Sequence, residues 1–186
     1  DLLAFFKVVT MRHPLIIFLL FNLITTSAIA AGSRPVEMDD GDDEDLVVPQ
    51  KLQLTISKNM PALSKLSREN NVPILLMFAT EDCHYCQRLE AEVLGPMRIA
   101  GIDPQRVILR KVMMDEYDEL LDFDGSKRNA ESFSINRGVE VVPTLQLVNA
   151  KGEELVPKIV GYQTPGMYSS YLEEAIEVSQ MLLEKK

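Results

Sequence analysis

The chain has 186 residues, 46% of them hydrophobic, and a formal net charge of −9. That is enough apolar material for one domain with appendages, and the acidic balance argues against a nucleic-acid surface. Two cysteines are too few to staple a small scaffold together.

The first predicted element is a leader. Met11 is followed by Arg12, by an apolar run from Leu15 to Leu23 broken only by Asn22, and by the small-x-small pattern Ala28-Ile29-Ala30. This is the layout of a secretory signal peptide, and the run is shorter than the ~20 residues of an ordinary membrane span. Cleavage is expected near Ala30, with no cysteine following to carry a lipid. An uncleaved anchor is the alternative, because Phe5, Val8 and Val9 add apolar length. The expected organisation is residues 1–30 as an N-terminal extension plus leader, 31–50 as an acidic flexible linker, and 51–186 as one domain. The acidic run Asp39 to Asp45 lacks the ligand spacing of a calcium loop and reads as a solvated tail.

In the domain, "NMPALSKLSRENN" predicts a helix capped by Asn59, with Pro61 in the first turn, where its missing N–H costs little. "VPILLMFAT" is a continuous apolar run of strand length, as in a central strand covered on both faces. The stretch "CQRLEAEVLGPM" predicts a helix with Leu89, Val93 and Met97 on one face, kinked or ended by Pro96. "RVILRKVMMD" reads as a strand, "DEYDELLDFDGSKRN" as a polar loop, and "AESFSINRGV" as a short helix stopped by Gly138. "VVPTLQLVN" is a strand, Asn149 to Gly152 a turn, and "EELVPKIVG" its hairpin partner, demoted toward an edge by Pro157. A last amphipathic helix should turn Met167, Tyr171, Ala175, Val178 and Leu182 to one side. The order implies an α/β fold, a mixed sheet of about four to five strands with helices on both faces.

Both cysteines lie in "ATEDCHYCQRLEAEV", as Cys83 and Cys86. Such a pair can be a redox couple, half of a metal site or a short structural clip. A zinc site wants four ligands, or three and water, and His84 lies between the cysteines, poorly placed to join them. A clip this short would restrain the unfolded chain little. A redox couple needs a partly ionised thiol, and the junction of a strand with a helix N-terminus supplies free N–H groups and a positive dipole end for Cys83. Cys86, one turn in, can then attack a mixed disulfide formed at Cys83. Protonated His84 would favour the Cys83 thiolate, or else is an exposed loop histidine; Tyr85 should pack against the rim of the site.

"LLMFATEDCHYCQRL", "GVEVVPTLQLVNAKGEEL" and "IVGYQT" together resemble the thioredoxin superfamily, and more narrowly its exported single-domain bacterial members. The likeness runs from about Lys51 to Lys186. It implies a thioredoxin-like fold, Cys83 as nucleophile and Cys86 as resolving cysteine. It implies a cis peptide bond before Pro143, with the Val142 backbone offered to a substrate peptide, and Gly161 keeping the groove open. There are departures. Met77 stands where many members carry a buried Asp that moves the proton of the resolving cysteine, a role left to water or to Glu81. Asp82 replaces the usual Trp and would oppose His84. Asp118 to Phe133 is an insertion, expected near the groove.

The resemblance implies a protein thiol–disulfide oxidoreductase, exported and periplasmic, and acting as a reductase, because it carries neither the helical insert of the large exported oxidases nor the dimerisation domain of the isomerases. Oxidase or isomerase is the alternative direction. A peptide- or partner-binding or redox-sensing module of the same fold is the alternative class. No organic cofactor and no metal are expected. The expected partners are protein or peptide disulfides and a thiol electron donor, which a membrane-embedded protein could provide; the chain is expected to be a monomer that binds no nucleic acid.

Overall fold

The computed structural model describes residues 47–116 and 118–185. The leader, its cleavage point near Ala30 and the acidic run Asp39 to Asp45 lie outside the described residues. Among the described residues, no helix is long and apolar enough to cross a membrane.

A 3-10 turn at Gln50–Leu52 leads to α1 (Met60–Asn70), whose start is set by the Asn59 side chain accepting the Ala62 N–H at 3.0 Å. Strand β1 (Ile74–Ala79) follows, then a long helical segment: α2 (His84–Leu89), a π turn (Glu90–Leu94) and α3 (Gly95–Ile99). A short irregular turn, α4 (Ile102–Gln105), leads into β2 (Ile108–Met113). Next come β3 (Glu119–Leu121), β4 (Lys127–Asn129), α5 (Ala130–Asn136), β5 (Thr144–Val148), β6 (Ile159–Val160) and α6 (Pro165–Glu184).

The main sheet has the order β2-β1-β5-β6. β1 and β2 are parallel, joined by the α2–α3 crossover, while β5 runs antiparallel to β1 and β6 antiparallel to β5. The apolar run of β1 now has its reason. Leu75, Met77 and Ala79 point into a core shared with α2–α3 and α6, and Ile74, Leu76 and Phe78 into a core shared with α1 and α5. A strand covered on both faces has no polar side to alternate.

Several expectations need correction. The helix, expected to be kinked or ended by Pro96, does not end there, and its irregularity is a π turn just before the proline. The Gly95 N–H bonds the Glu90 carbonyl, a five-residue closure that widens the turn just before the proline and lets the helix run on to Ile99. Gly95 is needed there, because a Cβ would sit 2.5 Å from the Leu52 carbonyl oxygen and 2.7 Å from the Leu52 Cβ.

The polar stretch after β2 is a hairpin rather than a loop, with Leu120 opposite Arg128. Only Leu120 of β3 is buried, so strands of three residues leave almost no alternation to read. The hairpin tip does not reach the groove. Phe123 stacks under Arg137 beside Gly152, at the end of β5 remote from Pro143. The turn before the hairpin lies beside the cysteine loop, where Asp115 accepts the Glu81 N–H at 2.8 Å, and Phe133, the last residue of the segment, belongs to the cluster against which Val142 packs.

The partner of β5 is also shorter than expected. Past a single bridge, Val148 to Glu154, regular pairing resumes only at Ile159, beyond Pro157. Finally, α6 buries the stripe Tyr168, Leu172, Ile176 and Ser179, one residue on from the expected one, and leaves Met167 and Tyr171 exposed. Both stripes carry apolar residues at helical spacing; the edge-to-face contact of Tyr168 with Tyr162 goes with the buried one.

Candidate functional site: the Cys83–Cys86 helix start and the Pro143 turn

β1 ends at Ala79, and Thr80 to Asp82 carry the chain into α2 with Cys83 as its N-cap. The Cys83 carbonyl accepts the N–H groups of Cys86 (3.0 Å) and Gln87 (3.1 Å), and its Sγ lies 3.1 Å from the Cys86 N. The sulfur thus sits at the positive end of the first-turn amides, and the Cys86 N–H is shared between it and the Cys83 carbonyl. Cys83 is half-buried, Cys86 is 3% exposed, and their sulfurs form a disulfide. In the reduced pair, the same amides would stabilise negative charge on Cys83.

His84, Glu81 and Asp82 are exposed beside the pair. Tyr85 does not pack down on the rim as expected: it is 57% exposed, and its ring meets that of His84 edge-on at 6.2 Å. An aromatic side chain two residues into a helix, with no core beneath it, has nothing to bury against.

The antiparallel pairing of β1 with β5 sets Phe78 opposite Thr144, so the chain before Thr144 arrives at the same sheet end as the cysteines. The Val142–Pro143 bond is cis. The Pro143 carbonyl accepts the Gly161 N–H at 2.7 Å, and Gly161 has φ 80°, a conformation that favours glycine. The Val142 N–H and C=O have no hydrogen-bond partner among the described residues. Val142 and Cys83 pack against the same core cluster, which includes Cys86.

Cys86 also lines a cleft of about 570 Å³, together with Thr80, Glu81, Glu90 and Lys111 among others. Met77 is fully buried in the core and brings no titratable group. Glu81, expected to share the proton-handling role with water as its alternative, has an exposed side chain. The carboxylate buried in the cleft wall is Glu90, 3% exposed, which receives Lys111 Nζ at 2.7 and 3.0 Å and the Leu54 N–H. Sequence reasoning missed it, although the signal existed: Cys86 and Glu90 are four apart on one helix and so share a face.

A second missed contact links the two halves of the site. The Tyr162 hydroxyl donates to Glu92 at 2.6 Å, and Glu92 also receives Arg88 Nε at 2.9 Å. Burial, then the bond to Glu92, push Tyr162 up to about 12. Burial disfavours the Glu92 carboxylate, but Tyr162 and Arg88 outweigh it and hold the group below its ordinary range.

The model of the thioredoxin-like domain matches residues 60–176. Among curated proteins, none matches the chain. Similar solved structures include oxidised thioredoxin O2 from Arabidopsis thaliana, at 21% identity over 64% of this chain and 91% of that one, with a TM-score of 0.43. They also include oxidised mitochondrial thioredoxin 3 from Saccharomyces cerevisiae, at 20% identity, 68% and 96% coverage and a TM-score of 0.45. A thioredoxin-fold protein from Helicobacter pylori matches at 16% identity, 78% and 94% coverage and a TM-score of 0.46. The family match reaches from the first residue of α1 well into α6, taking in the whole sheet and both cysteines, and by it the chain belongs to the thioredoxin-like domain family, with a Cys83–Cys86 disulfide that supports thiol–disulfide oxidoreductase chemistry.

Proposed function

We propose that the protein is an exported, periplasmic disulfide reductase acting on protein or peptide substrates. The observation that carries this reading is the pairing of a half-exposed Cys83 at a helix start with a buried Cys86 bonded to it. A thiol placed this way can form a mixed disulfide, and its neighbour can resolve it. In the proposed cycle the Cys83 thiolate attacks a substrate disulfide. One substrate sulfur leaves as thiolate and takes a proton, and the other is bonded to Cys83. Cys86, as thiolate, then attacks Cys83 Sγ, releases the second substrate sulfur and closes Cys83–Cys86. The substrate gains two electrons, which a thiol electron-donor protein, membrane-embedded or not, must return. No organic cofactor or metal takes part.

The unpartnered N–H and C=O of Val142 support a substrate held as a short added strand beside Pro143. The reductase direction is supported by the modest insertion after β2, a hairpin with three residues in each strand. Export rests on the leader pattern from Met11 to Ala30.

The test is catalytic reduction of insulin disulfides with a recycling reductant, and its loss in Cys83→Ser. Equal behaviour of wild type and variant would sink the enzyme reading and leave the binding or sensing module. A Cys83–Cys86 potential near about −270 mV fits a reductase, and one near about −120 mV an oxidase.

A further inference from the structure

The proposed cycle seats a peptide between Cys83 and the free backbone groups of Val142. A small disulfide can meet the Cys83 thiolate without that seat. A disulfide carried on a peptide cannot, because its sulfur is aimed by the backbone it belongs to, and a misplaced groove aims it wrongly. The spacing is set by whatever ties the Pro143 side to the cysteine-bearing helix.

The sheet holds the Pro143 side weakly. Its outer neighbour β6 is the edge strand and pairs only at Ile159 and Val160. Beyond it the chain crosses to α6 largely in solvent. Every residue from Gln163 to Met167 is exposed, and Thr164 has a left-handed φ of 47°. Tyr162 is the buried residue of this crossing, 6% exposed. Its ring lies in the core cluster that holds Cys86 and meets Tyr168 edge-on at 5.0 Å. Its hydroxyl donates to Glu92 in the π turn at 2.6 Å, and Arg88 holds that carboxylate from one turn earlier. On the other side of Tyr162, the Gly161 N–H holds the Pro143 carbonyl at 2.7 Å. A continuous set of bonds thus runs from the cysteine-bearing segment through Glu92, Tyr162 and Gly161 to Pro143. Packing of Val142 and Cys83 on their shared cluster brings the two sides near, but it is non-directional. A hydrogen bond fixes both distance and angle.

We propose that Tyr162 is a positioning residue for peptide-borne disulfides: bonded to Glu92, it sets the spacing between Cys83 and the Val142 backbone and so favours protein substrates over small disulfides. This rests on the oxidoreductase reading of the cysteine pair. Tyr162 exchanges no proton or electron in the cycle and acts through the geometry of the groove.

The test compares two substrates. The reduced full chain is mixed with excess insulin, or with excess hydroxyethyl disulfide, which is too small to pair with the Val142 backbone. Oxidation of the cysteine pair is followed over one turnover by acid quench, well below the melting temperature. In Tyr162→Phe the ratio of the two second-order rate constants, insulin over hydroxyethyl disulfide, should fall by about tenfold. A merely stabilising bond would leave that ratio at its wild-type value, because loss of folded protein lowers both rates alike. Glu92→Gln keeps an oxygen that accepts from Tyr162 and should retain most of the ratio. Glu92→Ala should lose as much as Tyr162→Phe, and the double variant no more than either. A wild-type ratio in Tyr162→Phe and Glu92→Ala overturns the proposal, and so does a double variant in which the two losses multiply. If Tyr162→Phe does not fold, Glu92→Ala, which changes an exposed side chain, carries the same comparison. Failure of the underlying reading is seen separately, as wild-type insulin turnover no greater than that of Cys83→Ser.

Discussion

Tyr162 and Glu92 meet across 70 residues of sequence through a hydrogen bond of 2.6 Å. The bond ties the cysteine-bearing helical segment to the residue after Gly161, and Gly161 in turn holds the Pro143 carbonyl. Arg88 completes the link, bonding Glu92 and lying 5.7 Å from the centre of the Tyr162 ring. Two chain segments that must keep their spacing around a substrate are therefore joined by a polar clasp rather than by apolar packing alone.

Tyr162→Phe should cost about 1–2 kcal/mol, because Glu92 loses a donor while the ring still packs. The pH dependence has a definite sign. Glu92 is held below its ordinary range in the fold, so its contribution is present above the unfolded value and is lost as pH falls through the folded one. Tyr162 is pushed up to about 12, so its contribution is present below its ordinary value near 10 and is lost as pH rises toward 12. Melting curves of wild type and Tyr162→Phe should be furthest apart between about pH 5 and 10 and converge on both sides. A gap that does not change with pH would show that the hydroxyl's contribution does not depend on an ionised Glu92.

Gly95→Ala tests the packing of the helical segment on the 3-10 turn. The new Cβ would meet the Leu52 carbonyl oxygen at 2.5 Å and the Glu90 carbonyl oxygen at 2.8 Å, both backbone atoms with little freedom to move. The gain in helix propensity, about 1 kcal/mol, is outweighed by overpacking, so a net loss of about 1–3 kcal/mol is expected in urea denaturation. An unchanged midpoint would mean that the turn shifts freely away from the helix.

Much of this fold was legible because its local signals agree with one another. Asn59 before Pro61 marks α1, and the two-faced apolar run marks β1, since each follows from chemistry within a few residues. The failures arose where a local pattern had two solutions or too few residues. In α6, Met167–Tyr171 and Tyr168–Leu172 are equally good apolar pairs, and the contact of Tyr168 with Tyr162 is seen only in the fold. In β3, one buried leucine among charged residues carries no period. In the site, the cysteines and Pro143 were legible from motif and resemblance, whereas Glu90 looked like one more surface acid of a helix. Its burial depends on Lys111 and Leu54, which arrive from other elements.

Tyr168→Phe should leave stability unchanged or raise it by up to about 1 kcal/mol. The Tyr168 hydroxyl is buried without a partner among the described residues, and burial pushes its ionisation up. A hydroxyl that has left water and gained no partner is a cost that phenylalanine avoids. A loss above about 1 kcal/mol in thermal denaturation would imply a bound water bridging that hydroxyl.

Arg137 anchors the β3–β4 hairpin, and the anchor depends on its shape as well as its charge. Its guanidinium lies 4.8 Å from the centre of the Phe123 ring and 4.6 Å from that of Phe133, and its Nη1 reaches the Gly152 carbonyl at 3.0 Å. Asp122 lies 3.7 Å away, and burial holds Arg137 below its ordinary range despite that partner. A planar, weakly hydrated cation fits between two rings, and a compact ammonium does not. Arg137→Lys should therefore lose about 1–3 kcal/mol, and the loss should be local. Amide exchange should quicken first across residues 119–129, while β1 and β5 keep their protection. The tip held by Arg137 sits at the end of β5 remote from Pro143, so insulin reduction measured well below the melting temperature should match wild type. Uniform loss of protection across the sheet would show that the hairpin is part of the cooperative core, and loss of turnover in a folded variant would show that it communicates with the cysteine pair.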